Sequence, residues 1–290
     1  MNKRIVRASL CTILVCLFAV GCQRKDEKVQ DGKESVTKEK SENRGDTAQE
    51  SESGISRTGD AKIDALLVSY PDFIKEVKDN KVVFKDGSTI TYDDGKEKDF
   101  LTLLDNCDVE DMFYRPYRLP NPEPEYLEDV GRMRSEALYK KMYGSSEKEV
   151  RANLKNVKWF GTSVQFNSKN GAADSLLAVA NEISKYADLK PYLKSSGTFN
   201  WRPVRGAKRM SAHSYGIAFD IAVDKSDYWQ WKTGGNDELK KVKYANKFPR
   251  KIVEIFQRHG FIWGGAWYHY DTMHFEFRPE ILKYAEYASK

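Results

Sequence analysis

The segment Ile217–Val223, "IAFDIAV", places Ile217, Phe219, Ile221 and Val223 at every second position, with Ala218, Asp220 and Ala222 between them. A period of two predicts a strand with one core face. The same alternation in "MHFEFR" puts Met273, Phe275 and Phe277 on one face and His274 and Glu276 on the other. A further strand is expected in "GTFNWRPV". The helical period is clearest in "ADSLLAVANEISKYADL", where Leu176, Val179, Ala180 and Ile183 form one stripe and Asp174 or Ser175 is the expected cap. In "FPRKIVEIFQRHG", Pro249 opens the first turn, Ile252, Ile255 and Phe256 make the stripe, and Gly260 closes the helix. Upstream, Val82–Phe84 and Thr89–Tyr92 flank Asp86-Gly87, a hairpin pattern. A short helical piece and a connector bearing Pro116, Pro120, Pro122 and Pro124 follow. Strands and helices alternate without a regular βαβ rhythm, which predicts an α+β fold: a small antiparallel sheet with flanking helices (residues 156–290) and a smaller N-terminal lobe with the hairpin (residues 61–155).

The first 60 residues follow neither pattern. Lys3, Arg4 and Arg7 precede an apolar run, Ala8–Val20, which ends in "AVGC". This is the layout of a secretion signal and too short for a comfortable membrane span. It resembles a bacterial lipoprotein signal, with residues 1–22 as the signal segment and Cys22 the acylated residue, although Ala19 stands where Leu is usual. Residues 23–60 hold few apolar side chains among many charged and small polar ones, a composition that cannot offset its conformational entropy by burial. They read as a disordered tether with an end-to-end distance of roughly 35 Å. The expected location is exported and membrane-anchored.

This changes the charge and cysteine arithmetic. The net charge of +5 falls to about +2 without Lys3, Arg4 and Arg7, so binding to nucleic acid through charge is not expected. Cys11 and Cys16 leave with the signal and Cys22 is lipidated, so Cys107 stands alone and no disulfide framework is expected. A chain that is 40% hydrophobic and 12% aromatic still has enough for one good-sized core.

The candidate chemistry lies on the polar strand faces. Asp220 is flanked by methyl groups, a costly setting for a carboxylate unless a positive charge lies against it. His213, seven residues earlier, and His274 on the other strand supply two imidazoles. Three protein ligands with an open fourth position suit a catalytic zinc ion, and that metal is the missing charge. There is no "HExxH" and no "CxxC", and calcium wants more oxygens. Asp271 is a candidate base, though equally suited to a turn, and Arg202 is a candidate cation for polarising a substrate, with Arg205 and Arg209 as competitors. His259 fits a helix end, and His269 fits either the surface or a place beside the ligands.

"SAHSYGIAFD" resembles the "SxHxxGxAxD" motif of the M15 family of zinc peptidases, and "WGGAWYHYDTMHFE" is similar to that family's second motif. The similarity runs from about Gly197 to Glu280. It implies a D,D-peptidase-like (hedgehog-like) fold, one zinc ion on His213, Asp220 and His274, Asp271 as base and Arg202 as the polarising arginine. Ser211, Glu276, Trp263 and Trp267 are expected to support the ligands or touch substrate. The activity implied is hydrolysis of peptidoglycan stem peptides, as a D-alanyl-D-alanine carboxypeptidase or an L-alanyl-D-glutamate endopeptidase. Two other readings stand beside it: a catalytically silent cell-wall-binding lipoprotein of the same fold, and a zinc hydrolase of host or nutrient peptides.

Overall fold

Apolar density returns at Ala61, and the computed structural model describes residues 57–290. The signal segment, Cys22 and the tether as far as residue 56 lie outside the described residues. Helix α1 (Ala61–Ser69) begins where the Asp60 carboxylate accepts the backbone N–H groups of Lys62 and Ile63. An antiparallel sheet follows, β1 (Ile74–Lys78), β2 (Lys81–Phe84) and β3 (Thr89–Thr91), and β2 and β3 are the expected hairpin around Asp86-Gly87. Helix α2 (Phe100–Asn106) is the expected short helical piece, after which the proline-bearing connector runs without regular structure. Helices α3 (Glu136–Tyr143) and α4 (Glu147–Ala152) lead to a second hairpin, β4 (Leu154–Trp159) with β5 (Thr162–Asn167), and then to α5 (Ala172–Ile183).

The remaining elements build the central sheet: β6 (Ser195–Gly197), β7 (Ala218–Ile221), α6 (Trp229–Thr233), α7 (Arg250–Arg258), β8 (Phe261–Trp263), β9 (His274–Phe277) and α8 (Pro279–Ala288). The strand order is β6-β7-β9-β8, antiparallel throughout. In this register Phe219 faces Phe275, Asp220 faces His274 and Ala218 faces Glu276. The pleat therefore sends the aromatic pair to one side and the polar pairs to the other. On the apolar side, Phe256 of α7 stacks on Phe275 with centroids 3.9 Å apart, and Trp159 meets Phe219 edge-on at 4.7 Å. The α+β architecture with small antiparallel sheets and flanking helices is as expected.

Local expectations differ at four places. Val223 is 39% exposed, because Ala222 adopts a left-handed φ of 51° and ends the strand at Ile221. Helix α5 is capped by Gly171, which puts Asp174 in the first turn, where its charge meets the helix dipole. Pro249 caps α7 from outside. In "GTFNWRPV" only Gly197 lies in a strand, and the rest is irregular apart from a bridge between Pro203 and Met210.

Candidate active site

His213 lies in a 3₁₀ turn, Ala212–Tyr215, opened by Ser211, whose hydroxyl accepts the His213 backbone N–H. Gly216 closes the turn at φ 66°, and a Cβ there would lie 2.6 Å from Leu154. That glycine aims the histidine and lets the chain enter β7. Its Nδ1 donates to the Thr198 carbonyl, which leaves the Nε2 lone pair facing inward in the neutral ring. On β9, His274 Nε2 donates to Glu276 Oε1 at 2.9 Å, so Nδ1 is the inward lone pair there. His213 Nε2 and His274 Nδ1 are 3.3 Å apart, and each approaches Asp220, at 3.2 and 2.7 Å.

Three acceptors thus converge, and both imidazoles have already committed their N–H elsewhere. Such a face suits a cation. Ligand atoms about 2.0–2.1 Å from a tetrahedral metal lie roughly 3.3 Å from one another, which these separations approach. The donor set fits a divalent metal held by His213, Asp220 and His274. Without one, protons take its place: burial opposes the charge on His274, but Asp220 pushes its pKa up to about 10. Although burial works the other way, the two imidazoles hold the Asp220 carboxyl well below the usual range. A second acidic group, Asp94, Asp108 and Asp111, is neutralised from within by Lys98 Nζ, at 3.1, 2.9 and 2.5 Å.

The trio opens on a cleft of about 590 Å³ that Asp271 also lines. Asp271 Oδ1 is buried and has no partner. Burial raises its pKa to about 7, helped by Asp220 and opposed by the histidines. Its backbone N–H donates to the Gly264 carbonyl at 3.0 Å, and a Cβ at Gly264 would lie 2.6 Å from the Asp271 carbonyl oxygen. The glycine therefore lets the turn that carries Asp271 close. A buried carboxylate of raised pKa beside a metal-ligand face is what proton transfer near neutral pH needs.

Residues 205–277 match the family model described as D-alanyl-D-alanine carboxypeptidase, of the M15 peptidases. This part of the chain is similar to the M15 peptidases. No curated protein and no solved structure matches the chain.

The cleft brings together Arg202, Ser211, His213, Asp220, Asp271 and His274. Arg202 is exposed, with its guanidinium bonded only to the Pro203 carbonyl, at 3.2 Å. Arg205 also lines the cleft, whereas Arg209 is spent on Asp105 and Glu238. Glu276 lies behind His274, fully buried, and accepts from Arg134 Nε at 3.0 Å. Trp267 lines the cleft with its ring 5.6 Å from that of His274, and its Nε1 donates to Val130. Trp263 does not line it and instead donates to the Thr272 carbonyl beneath the turn that carries Asp271. His259 closes α7 and bonds Glu182 at 2.8 Å, a structural role. His269 is buried on the cleft wall. Sequence reasoning missed Asp129, Arg132 and Arg134, which come from the irregular chain after the prolines, where no period or motif marks them.

Proposed function

We propose that this protein is a zinc peptidase that hydrolyses peptide stems of peptidoglycan, as a D-alanyl-D-alanine carboxypeptidase or an L-alanyl-D-glutamate endopeptidase, exported and held at a membrane by a lipid on Cys22. The observation that carries the reading is the pairing of the three inward lone pairs of His213, Asp220 and His274 with the unpartnered Asp271 carboxylate on one cleft wall. The family match supports the peptidase class. Zinc, when bound, supplies Lewis acidity toward the scissile carbonyl and the attacking water. Asp271 takes the proton from that water and passes it to the leaving amine. Arg202, with no carboxylate partner among the described residues, is placed to meet a carbonyl or carboxylate of the substrate. Glu276 and Thr198 hold the two imidazoles in the tautomers that ligation requires.

A silent binding protein has no need of a base, and the unpartnered Asp271 carboxylate on the cleft wall beside the ligand face argues for turnover. The test is to incubate purified muropeptides with zinc-loaded protein and weigh the products. Loss of a terminal D-alanine identifies the carboxypeptidase, and scission near the start of the stem identifies the endopeptidase. Intact muropeptides alongside cleavage of unrelated peptides would overturn the wall substrate, and no cleavage of either would leave a binding protein.

A further inference from the structure

The cleft holds a second acid–imidazole pair that the proposed reaction leaves without a role. His269 Nδ1 lies 2.5 Å from Asp129 Oδ2, and the His269 backbone N–H donates to Asp129 Oδ1 at 2.9 Å. The same carboxylate pairs with Arg132 at 2.8 Å, and Glu238 lies 3.8 Å from Nδ1. Asp129 is fully buried, and against the cost of burial the Arg132 charge and the hydrogen bonds from His269 hold its pKa below the usual value. An ionised carboxylate only accepts, so Nδ1 carries a proton, and the tautomer this selects has its lone pair at Nε2. Trp229 edge-on at 4.6 Å and Phe100 stacked at 5.9 Å clamp the ring. Nε2 is buried, has no partner, and belongs to a residue of the cleft wall beside Trp229, Arg132 and Asp271.

A buried acceptor left unpaired is costly, and one fixed by a carboxylate and two aromatic rings is pre-oriented for a donor from outside the chain. The arginines of the cleft, Arg202 and Arg205 among them, offer donors and suit the acceptors of a peptide. His269 offers the complement. We propose that His269 is a substrate-contacting residue that accepts a hydrogen bond at Nε2 from a backbone amide N–H of the bound peptide, and that Asp129 is the positioning residue fixing its tautomer. Asp129 lies outside residues 205–277, so the group that positions this contact comes from a segment beyond the family-matched part.

The inference rests on the peptidase reading, and the test separates the two. With four histidines in the chain, 15N-histidine labelling of the full-length, zinc-loaded protein resolves each ring. His269 Nε2 is expected to be unprotonated in the free protein. It should shift when a synthetic stem pentapeptide is added in an Asp271→Asn background, which keeps the peptide intact. Kinetically, His269→Phe keeps the aromatic packing and should raise KM about tenfold, with kcat within about twofold and zinc content unchanged. His269→Gln, which restores an acceptor at the ε position, should recover part of that loss. Asp129→Asn, which can donate to Nδ1 and move the ring proton to Nε2, should match His269→Phe. A protonated Nε2 in the free protein, an unchanged KM in His269→Phe, or loss of zinc together with the KM effect overturns the inference. A wild-type protein that neither binds nor cleaves the peptide overturns the proposed function and this contact with it. A wild type that cleaves, matched by His269→Phe, overturns the contact alone.

Discussion

Replacing Asp271 by Asn separates catalysis from stability, because the two are expected to move in opposite directions. The carboxyl group is held at about 7 against an ordinary 3.8, with burial the main cause. A shift of that size corresponds to roughly 4 kcal/mol against the ionised form, at about 1.36 kcal/mol per pH unit. The sign follows from linkage: below the unfolded pKa both states are protonated and nothing is lost. As pH rises toward 7 the unfolded chain ionises freely and the folded one does not, so metal-free protein is destabilised progressively and fully above 7. Asparagine fills the same space without a charge, so at pH 8 the metal-free variant should gain on the order of 3 kcal/mol, or about 5–10 °C in melting temperature. Zinc nearby favours the carboxylate, so the gain should shrink in loaded protein. Asparagine cannot accept the proton, and turnover of stem peptides should fall about 10²- to 10⁴-fold with zinc retained. Calorimetry with and without chelator, metal analysis and muropeptide cleavage on one preparation test all three. Normal cleavage by the variant would remove Asp271 as the base. Zinc loss as severe as in Asp220→Asn would make Asp271 a ligand, and a metal-free variant melting below wild type would refute the electrostatic argument.

His213→Ala should lose most bound zinc by metal analysis, and wild-type affinity should fall on acidification because the imidazoles must be neutral to ligate. Glu276→Gln should weaken zinc binding about 10- to 100-fold, read by competition with a chelator, because it takes the charge from the His274 partner. Gly264→Ala places a methyl group 2.6 Å from the Asp271 carbonyl oxygen and should lower kcat/KM by roughly tenfold or more, with zinc content unchanged. Cys22→Ser should move the protein from the detergent phase to the aqueous phase on partitioning, and an unchanged partition would mean the signal is an ordinary one.

The face that carries Asp220 and His274 was legible because β7 and β9 are short alternating strands in which Asp220, His274 and Glu276 interrupt an otherwise apolar pattern. Their antiparallel pairing turns two separate interruptions into one facing pair. Helices α5 and α7 were legible for the same kind of reason, since their stripes are buried as read. Failures cluster where a single backbone angle outweighs the pattern, as at Ala222, or where a cap depends on a left-handed residue such as Gly171. Asp129, Arg132 and Arg134 had no signal of either kind. They lie in irregular chain, and their partners Glu276, Glu238 and His269 are more than a hundred residues away.

That distant partnership bears on how the site keeps its shape. His274 Nε2 bonds Glu276, Glu276 meets Arg134 and lies 3.5 Å from Arg278, Arg278 pairs with Glu280, and the Tyr70 hydroxyl, just past α1, donates to Glu280 at 2.5 Å. Tyr70, Glu276, Arg278 and Glu280 are all fully buried. Buried ion pairs of this kind contribute little net stability against well-packed apolar residues, whereas removing one partner costs about 3–5 kcal/mol. Stability therefore does not account for them, while orientation does: each member fixes the next, and the last fixes the tautomer of a ligand histidine. The family-matched segment ends at residue 277, so Arg278, Glu280, Arg134 and Tyr70 all lie outside it. An excised 205–277 fragment would leave Glu276 without its cations and His274 free to choose its tautomer. The converging face of His213, Asp220 and His274 is thus a property of the fold that includes α1, the 128–134 segment and α8, although its residues can be read from two short motifs.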